Sequence, residues 1–436
     1  MEGRRRQLRN AGTEAALAAP CLRRRTRFAV ATARREIHGD PLHRTALPPT
    51  LQGFFHGTGR AYSDDLPRQE FGQFATLLRT PTVPVIDPSF SFIAKVLPWT
   101  DHIFLLDSRN GLLLFGHLAP DADDTPPDLG FIVCNPATEQ WVAVPGCGCV
   151  DDDLSLILLT THVSLLFDPA QSSHFHLVLF WDDLDIDGTT LTTVHTYSSE
   201  AGVWSHSEND DWSEEERQGP WEWWRRRDIF TDSSSLCGSS RALVDGLLYL
   251  ILGRDRILRV DAEGKTRRVI AAPSIHVDSE TYVVFVGQSQ GLLHCIVEEG
   301  HEGVPLSHLA SDDPRMRWSY GLSVWVLQGS DTQQWTFKHR MTNLQLFGNR
   351  SYRCMLEYHV VTMHPDRNLI FFVRHRDARM ISYDMDRQEV QALQSFRDNF
   401  GPITLFNRIT LTPYVPYLSE LFLGVIGAHK AVEVLL

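Results

Sequence analysis

The sequence predicts an all-β fold, and within that class a β-propeller. Two observations carry the prediction: a strand-and-turn phrase recurs five times at a nearly constant spacing, and long hydrophobic patterns of helical period are missing. The size agrees, because 436 residues, of which 43% are hydrophobic, are enough for a large folded unit with its own core.

The repeated phrase is an apolar strand followed by a polar turn and, in three of five copies, by a tryptophan six residues after the turn residue. The turn residues follow one another at spacings of 63, 63, 68 and 55, or about 62 on average. They are Asn135, Ser198, Asp261, Gly329 and Asp384, and position six after them holds Trp141, Trp204, Arg267, Trp335 and Val390.

A second phrase, a small or polar turn followed by an apolar strand, precedes each copy of the first. Its copies begin at Asn110, His174, Asp245, Gln290 and Arg367. Together the phrases describe four antiparallel strands joined by a Gly-type turn, a variable loop and an Asp/Asn-type turn. Such units bury their faces by stacking radially, which predicts propeller blades.

Six blades are favoured, with five or seven as alternatives. The sixth blade would combine the first strand, Ser91 to Leu97, with the last, Ile403 to Thr412, and so close the ring. An irregular β-sandwich is the alternative fold, and the regular period argues against it. The predicted domains are an N-terminal arm over 1–50, irregular or helical, a propeller over 51–418 and a tail over 419–436.

Net charge, the length of apolar stretches and cysteine content limit the classes of partner and the compartment that we expect for this protein. A net charge of −13 argues against a general nucleic-acid binder, because phosphate backbones require basic stripes. No apolar stretch reaches the roughly 20 residues that cross a membrane, so no membrane partner is expected. The seven scattered cysteines indicate reduced thiols and a cytoplasmic or nuclear protein. Residues 1–40 hold ten arginines against four acids, for which a nuclear-import patch is an alternative to a poorly ordered arm.

One segment, Asp210 to Arg227, is unusual because it contains four of the eleven tryptophans. Tryptophan and arginine are favoured anchors of protein interfaces. We predict partner-binding anchors in this segment, while the alternative is that the rings cover the outer edge of one blade. The predicted anchors are Trp212, Trp221, Trp223, Trp224 and Arg225.

An aspartate-rich segment resembles the opening of a calcium loop, with Asp183, Asp185 and Asp187 at its first, third and fifth positions. The twelfth position, which should be a bidentate Glu, is Val194. A solvated hairpin loop is therefore the favoured interpretation.

Two other pairs lack partners for a metal. Cys147 and Cys149 have no second cysteine pair, and His174 and His176, placed two apart on one predicted strand, have no supporting ligand spacing. Phosphate-binding and hydrolase motifs are also missing. We therefore expect no catalytic residue, metal or cofactor in this chain.

Several phrases, in order along the chain, resemble plant F-box proteins that carry a kelch-like, F-box-associated β-propeller. They are Asp40 to Arg44, Asp107 to Leu114, Cys134 to Pro145 and Tyr197 to Ser205, within a resemblance that covers roughly residues 37 to 420. The resemblance implies four-stranded kelch-like blades and a substrate-recognition subunit of a Skp–cullin–F-box ubiquitin ligase. In that role the F-box docks on a Skp-type adaptor, and the propeller captures the protein to be ubiquitinated.

The F-box itself is degenerate or missing. Arginine triplets within residues 1–36 occupy the place of the apolar helix that would pack on the adaptor. We therefore expect a non-catalytic protein-binding module that binds a Skp-type adaptor weakly or not at all. The alternatives are an F-box-less propeller that acts as a competitor or scaffold or has no function, and, less favoured, a propeller enzyme.

Overall fold

The chain folds into a six-bladed β-propeller, which confirms the predicted class and the favoured blade number. It is described by a computed structural model. The structure describes residues 50–58, 73–77, 86–95, 103–118, 129–147, 161–184, 190–207, 240–252, 255–265, 267–273, 281–299, 321–329, 334–348, 357–396 and 409–419.

Five blades have four antiparallel strands each, in sequence order from the centre outward. Blade 2 contains β3 (Ile103–Arg109), β4 (Leu112–Leu118), β5 (Leu129–Asn135) and β6 (Gln140–Val144). Blade 3 contains β7 (Thr161–Leu166), β8 (His176–Leu184), β9 (Thr190–Ser198) and β10 (Val203–Ser207). Blade 4 contains β11 (Arg241–Val244), β12 (Leu247–Leu252), β13 (Arg256–Val260) and β14 (Arg267–Ala271). Blade 5 contains β15 (Thr281–Ser289), β16 (Leu292–Glu299), β17 (Gly321–Gln328) and β18 (Gln334–Thr342). Blade 6 contains β19 (Tyr358–Met363), β20 (Leu369–Arg374), β21 (Arg379–Asp384) and β22 (Glu389–Ser395).

Blade 1 closes the ring by pairing the two ends of the chain. Its described strands are β1 (Gly53–Thr58), β2 (Gln73–Thr76) and β23 (Ile409–Tyr414), in the order β2-β1-β23. The closing pair runs in continuous antiparallel register from Gly53 opposite Tyr414 to Thr58 opposite Ile409. A strand from the C-terminal part of the chain is thus the innermost strand of a blade that begins near residue 53.

The predicted first strand of this blade, Ser91 to Leu97, is wrong. Ser91–Ala94 forms a short helix, α1, and its Phe92 and Ile93 pack between blades 1 and 2. A short apolar run does not distinguish a strand from a buried helical turn. Here the Asp87 carboxylate accepts the backbone N–H of Ser91 at 2.9 Å, which satisfies a donor that the turn leaves open.

The predicted repeat is confirmed in the hairpins. The five turn residues of the first phrase lie at the end of the third strand or directly after it, in five successive blades: Asn135, Ser198, Asp261, Gly329 and Asp384. The second phrase lies between the first and second strands. At Asn110-Gly111 both turn residues have positive φ, 46° and 90°, as two-residue hairpins with the twist of the strands require.

The periodic tryptophan ties one blade to the next. Trp204 in β10 donates its indole N–H to the Pro145 carbonyl of blade 2 at 2.8 Å. Trp335 in β18 donates to the Ala271 carbonyl of blade 4 at 3.0 Å. Each indole thus links the outermost strand of its own blade with the outer part of the blade before it.

The core consists of six clusters of buried apolar side chains, one between each pair of neighbouring blades. Between blades 2 and 3, for example, Leu114 and Val133 pack with Leu165 and Leu177, all at 0% exposure. The near-continuous apolar runs of the sequence follow from this arrangement, because each blade is buried on both faces.

We expect the ring to depend on the closing strand. A chain that ends at residue 408 lacks β23 and leaves β1 and the inner strands of blades 2 and 6 without their neighbour, so cooperative thermal unfolding should be lost. A chain that ends at residue 420 keeps the described contacts and is the control. Circular dichroism and size-exclusion chromatography of both chains test this, and equal stability would contradict it.

Candidate functional site

The antiparallel blades give the ring two unlike faces. Turns between the first and second strands and between the third and fourth strands emerge together, on what we call the turn face. Connections between the second and third strands, and from one blade to the next, begin and end on the opposite side, the loop face. Among the five four-stranded blades, the longest of these cover 208–240 and 300–320, whereas the turn face has two-residue turns such as 245–246.

Hydrogen bonds between neighbouring blades hold the turn face together. Asn110 Nδ2 donates to the Phe167 carbonyl at 2.7 Å, which links blades 2 and 3. Asn135 Nδ2 donates to the Tyr417 carbonyl at 2.9 Å, which links blade 2 to the segment after β23. Blades 5 and 6 are joined by Ser289 Oγ, which donates to the His364 carbonyl at 2.7 Å. The turn face is therefore a tightly connected surface.

A buried ion pair joins the innermost strands of three blades. Arg241 of β11 lies with its Nη1 3.4 Å from Asp107 Oδ2 of β3, and both side chains are only 9% exposed. Between them, in β7, the Leu165 N–H donates to the same carboxylate oxygen at 2.9 Å. The Arg241 guanidinium also donates to the Val163 carbonyl and to Ser164 Oγ. This ion pair and its hydrogen bonds thereby connect blades 2, 3 and 4 near the axis of the ring.

Burial lowers the pKa of Arg241, and the neighbouring Asp107 carboxylate opposes that effect. Arg109, at the end of β3, adds a second positive charge beside it and donates to the Arg241 carbonyl at 3.5 Å. Since arginine stays charged in proteins, the Asp107 carboxylate helps to hold a buried cation in place. The geometry indicates that this ion pair stabilises the fold and does not take part in a reaction, because the Asp107 carboxylate and the Arg241 guanidinium both have partners from the protein.

The predicted interface anchors belong to the connection 208–240. Its neighbours Ser207, at the end of β10, and Arg241, at the start of β11, place its two ends on the loop face. The anchors themselves lie outside the described residues: Trp212, Trp221, Trp223, Trp224 and Arg225.

The structure covers the other candidate sites in part. Asp183 lies in β8, with its backbone opposite Leu191 of β9, whereas Asp185 and Asp187 lie outside the described residues. Cys147 is half-buried against the cluster between blades 2 and 3, and Cys149 lies outside the described part of the chain.

The placement of His174 and His176 on one strand is wrong. His176 begins β8, while His174 precedes the strand in the turn, where its N–H is held by Ser172 Oγ at 3.0 Å. The alternation of a strand therefore does not relate the two rings. Burial lowers the pKa of His176, which favours the neutral ring.

Sequence reasoning missed a group of buried histidines. His359 Nδ1 and His375 Nε2 lie 2.8 Å apart in blade 6, and His195 contacts His206 in blade 3. In blade 5, His294 Nε2 lies 3.0 Å from Lys338 Nζ. Burial lowers the pKa of His195 and of His294 to about 4. These contacts join residues of different secondary-structure elements, so the spacing of the histidines along the chain did not indicate them.

Within the described ranges, no group of three or more His, Cys, Asp or Glu side chains is arranged to hold a metal ion. In the same part of the chain, no helix has the length and apolar character that a membrane span requires.

No protein-family model matches the sequence, and no curated protein matches it. Many solved structures are similar to it, among them three at low identity. The major allergen Mala s 1 of Malassezia sympodialis is 14% identical, with a TM-score of 0.34 over 72% of this chain and 91% of that one. The α-L-arabinofuranosidase Arb93A of Fusarium graminearum is 10% identical, with a TM-score of 0.38 over 74% and 94%. The β-propeller domain of the Trilobed protease from Pyrococcus furiosus is 6% identical, with a TM-score of 0.32 over 69% and 72%.

We expect Asp107→Asn to destabilise the ring by about 3 kcal/mol, because it leaves the buried Arg241 cation without its counter-charge. Arg374 and Asp377 form a more exposed pair in blade 6, so Asp377→Asn should cost about 1 kcal/mol or less. Urea unfolding midpoints of the two variants give the comparison. Equal losses would show that the buried pair has no special role.

Proposed function

We propose that this chain is a non-catalytic protein-binding module that receives its partner on the loop face. The observation that carries the proposal is the difference between the two faces: inter-blade hydrogen bonds tie the short turns, whereas the long connections 208–240 and 300–320 begin and end on the opposite side. A rigid ring with segments of different length on one face suits selective recognition of a partner.

The non-catalytic part of the proposal is supported by where the titratable side chains lie. Asp107 and Arg241 hold the inner strands together, and His195 and His359 lie buried within the blades. A catalytic centre needs such groups to converge on an open cleft that a substrate can enter. The described clusters instead have partners from neighbouring strands.

We further propose that the partner is a protein selected for ubiquitination, so that the chain acts as the substrate-recognition subunit of a Skp–cullin–F-box type ligase. This role rests on the resemblance of several phrases to plant F-box-associated propellers. Two of these phrases, Cys134 to Pro145 and Tyr197 to Ser205, occupy the same hairpin in blades 2 and 3. The resemblance therefore applies to the repeated hairpin of the blades, whereas we propose that residues on the loop face select the partner.

Trp221, Trp223 and Trp224 are the proposed anchors on that face. Aromatic side chains contribute large contact areas, and truncating an interface anchor costs about 2 kcal/mol or more of binding free energy. Their connection runs from the outermost strand of blade 3 to the innermost strand of blade 4, where it ends at Arg241 of the buried ion pair.

The double substitution Trp223→Ala/Trp224→Ala should reduce partner binding about 30-fold or more, because a single anchor is worth about 2 kcal/mol. Proteins captured by the wild-type chain are identified by mass spectrometry, and their affinities for wild type and variant are then measured. Phe337→Ala is the matched control, since Phe337 is 48% exposed on the outermost strand of blade 5, a blade that this connection does not join. A folded double variant that keeps every partner at full affinity would exclude these anchors.

A Skp-type adaptor should bind the full chain weakly or not at all, because residues 1–36 carry arginine triplets where the adaptor requires an apolar helix face. Co-purification with an adaptor, beside an intact F-box protein as positive control, measures this. Stoichiometric binding that survives removal of residues 51–436 would show a working F-box. That result would correct the adaptor prediction and leave the loop-face proposal to its own test.

A further inference from the structure

A lysine and a fully buried histidine form a polar pair in blade 5. Lys338 Nζ of the outermost strand, β18, lies 3.0 Å from His294 Nε2 of the second strand, β16. His294 is 0% exposed, whereas Lys338 is half-buried and therefore open in part to solvent. The amine thus joins the interior of the blade to its outer surface.

The hydrogen bonds of His294 define which ring nitrogen carries the proton. Its Nδ1 lies 3.1 Å from the Leu292 carbonyl oxygen, which only accepts, so Nδ1 is the protonated nitrogen. Burial lowers the pKa of this ring to about 4, so it is neutral near pH 7. The lone pair on Nε2 consequently points at the Lys338 amine and accepts a hydrogen bond from it.

An irregularity in the sheet places Lys338 in this position. Val324 of β17 pairs with His339 and the next residue, Trp325, pairs with Phe337, so Lys338 is left as an extra residue in the ladder. Such a bulge redirects side chains locally.

The charges around the amine come from blades 5 and 6. Burial lowers the pKa of Lys338, and the carboxylate of Asp386, in the turn after β21, opposes this shift. The same carboxylate acts on His339, whose Nε2 lies 3.0 Å from the Tyr383 hydroxyl. A partly desolvated amine beside a neutral base is the arrangement that activates lysine as a nucleophile.

We propose that Lys338 is an acyl-acceptor site, with His294 as its base. The Lys338 nitrogen attacks the carbonyl carbon of an acyl thioester, an N–C amide bond forms, and the C–S bond breaks. The amine proton passes to His294 Nε2 and from there to the departing thiolate, which leaves as the thiol. No oxidant or metal is required. The inference rests on residues of blades 5 and 6 and is independent of the proposed function.

The chain has few lysines, so the acetylation rate of Lys338 is easy to compare with that of the others. The sequence contains four lysines, Lys95, Lys265, Lys338 and Lys430. Lys95 and Lys265 are exposed and serve as internal references. Each unit by which an amine pKa falls raises the uncharged fraction near pH 7 about tenfold.

The test treats the full chain at pH 7 with a limited amount of a small acetyl thioester, that of N-acetylcysteamine, followed by peptide mass spectrometry. We expect Lys338 to be acetylated about tenfold faster than Lys95 and Lys265, because burial lowers the pKa of its amine and so raises the uncharged, nucleophilic fraction. Equal or slower labelling of Lys338 would overturn the proposal.

Two variants distinguish an effect of the His294 base and of the amine charge on the labelling rate of Lys338 from an effect of solvent exposure alone. His294→Gln keeps a hydrogen-bond acceptor without a basic nitrogen, so a folded variant should lose most of the Lys338 advantage. Asp386→Asn removes the carboxylate that favours the ammonium form, so labelling of Lys338 should rise about threefold at pH 7. Glu389→Gln, an exposed change in β22, is the control and should leave labelling unchanged.

If His294→Gln fails to fold, as judged by circular dichroism, the Asp386→Asn comparison decides. Unchanged or slower labelling in Asp386→Asn would contradict an amine whose reactivity depends on its charge state. Full retention of the Lys338 advantage in a folded His294→Gln variant would exclude His294 as the base.

Discussion

The ring depends on the burial of every blade against two neighbours. Six apolar clusters, one at each blade interface, contain most of the buried hydrophobic side chains, so no blade has a core of its own. Removing one interface exposes apolar surface on two blades at once. This is why the pairing of β1 with β23 matters beyond its hydrogen bonds: it supplies the sixth interface and leaves no open end.

Polar contacts between blades reinforce that packing near the axis, on the turn face and at the outer strands. Near the axis, Asp107 and Arg241 join three inner strands, and the cost of burying the cation makes the carboxylate indispensable. On the turn face, side-chain amides such as Asn110 bond to the neighbouring blade. At the outer strands, the indoles of Trp204 and Trp335 reach back to the preceding blade. The loop face is therefore the side on which sequence can vary without loosening the ring.

The Lys338 and His294 pair shows how such a scaffold produces reactive groups from a local irregularity. One extra residue in the β17–β18 ladder places an amine against a buried neutral ring. The surrounding sheet fixes both partners, and the cost of desolvating the amine is met by the stability of the blade. The same sheet holds His339 against Tyr383, which belongs to the next blade.

The sequence by itself determined the class of fold, the repeat and the position of the hairpins. These follow from local chemistry and from the period: Asn110-Gly111 adopts positive φ, and strands that recur as a regular four-stranded unit bury both faces by stacking radially. Only the tertiary structure decided that Ser91–Ala94 is helical, because a short apolar run is compatible with both conformations until its contacts are known. It also decided the ion pair of Asp107 with Arg241, 134 residues apart, and the pair of His294 with Lys338, 44 residues apart. Such contacts arise from the closure of the ring and the register of the strands, which no spacing along the chain encodes.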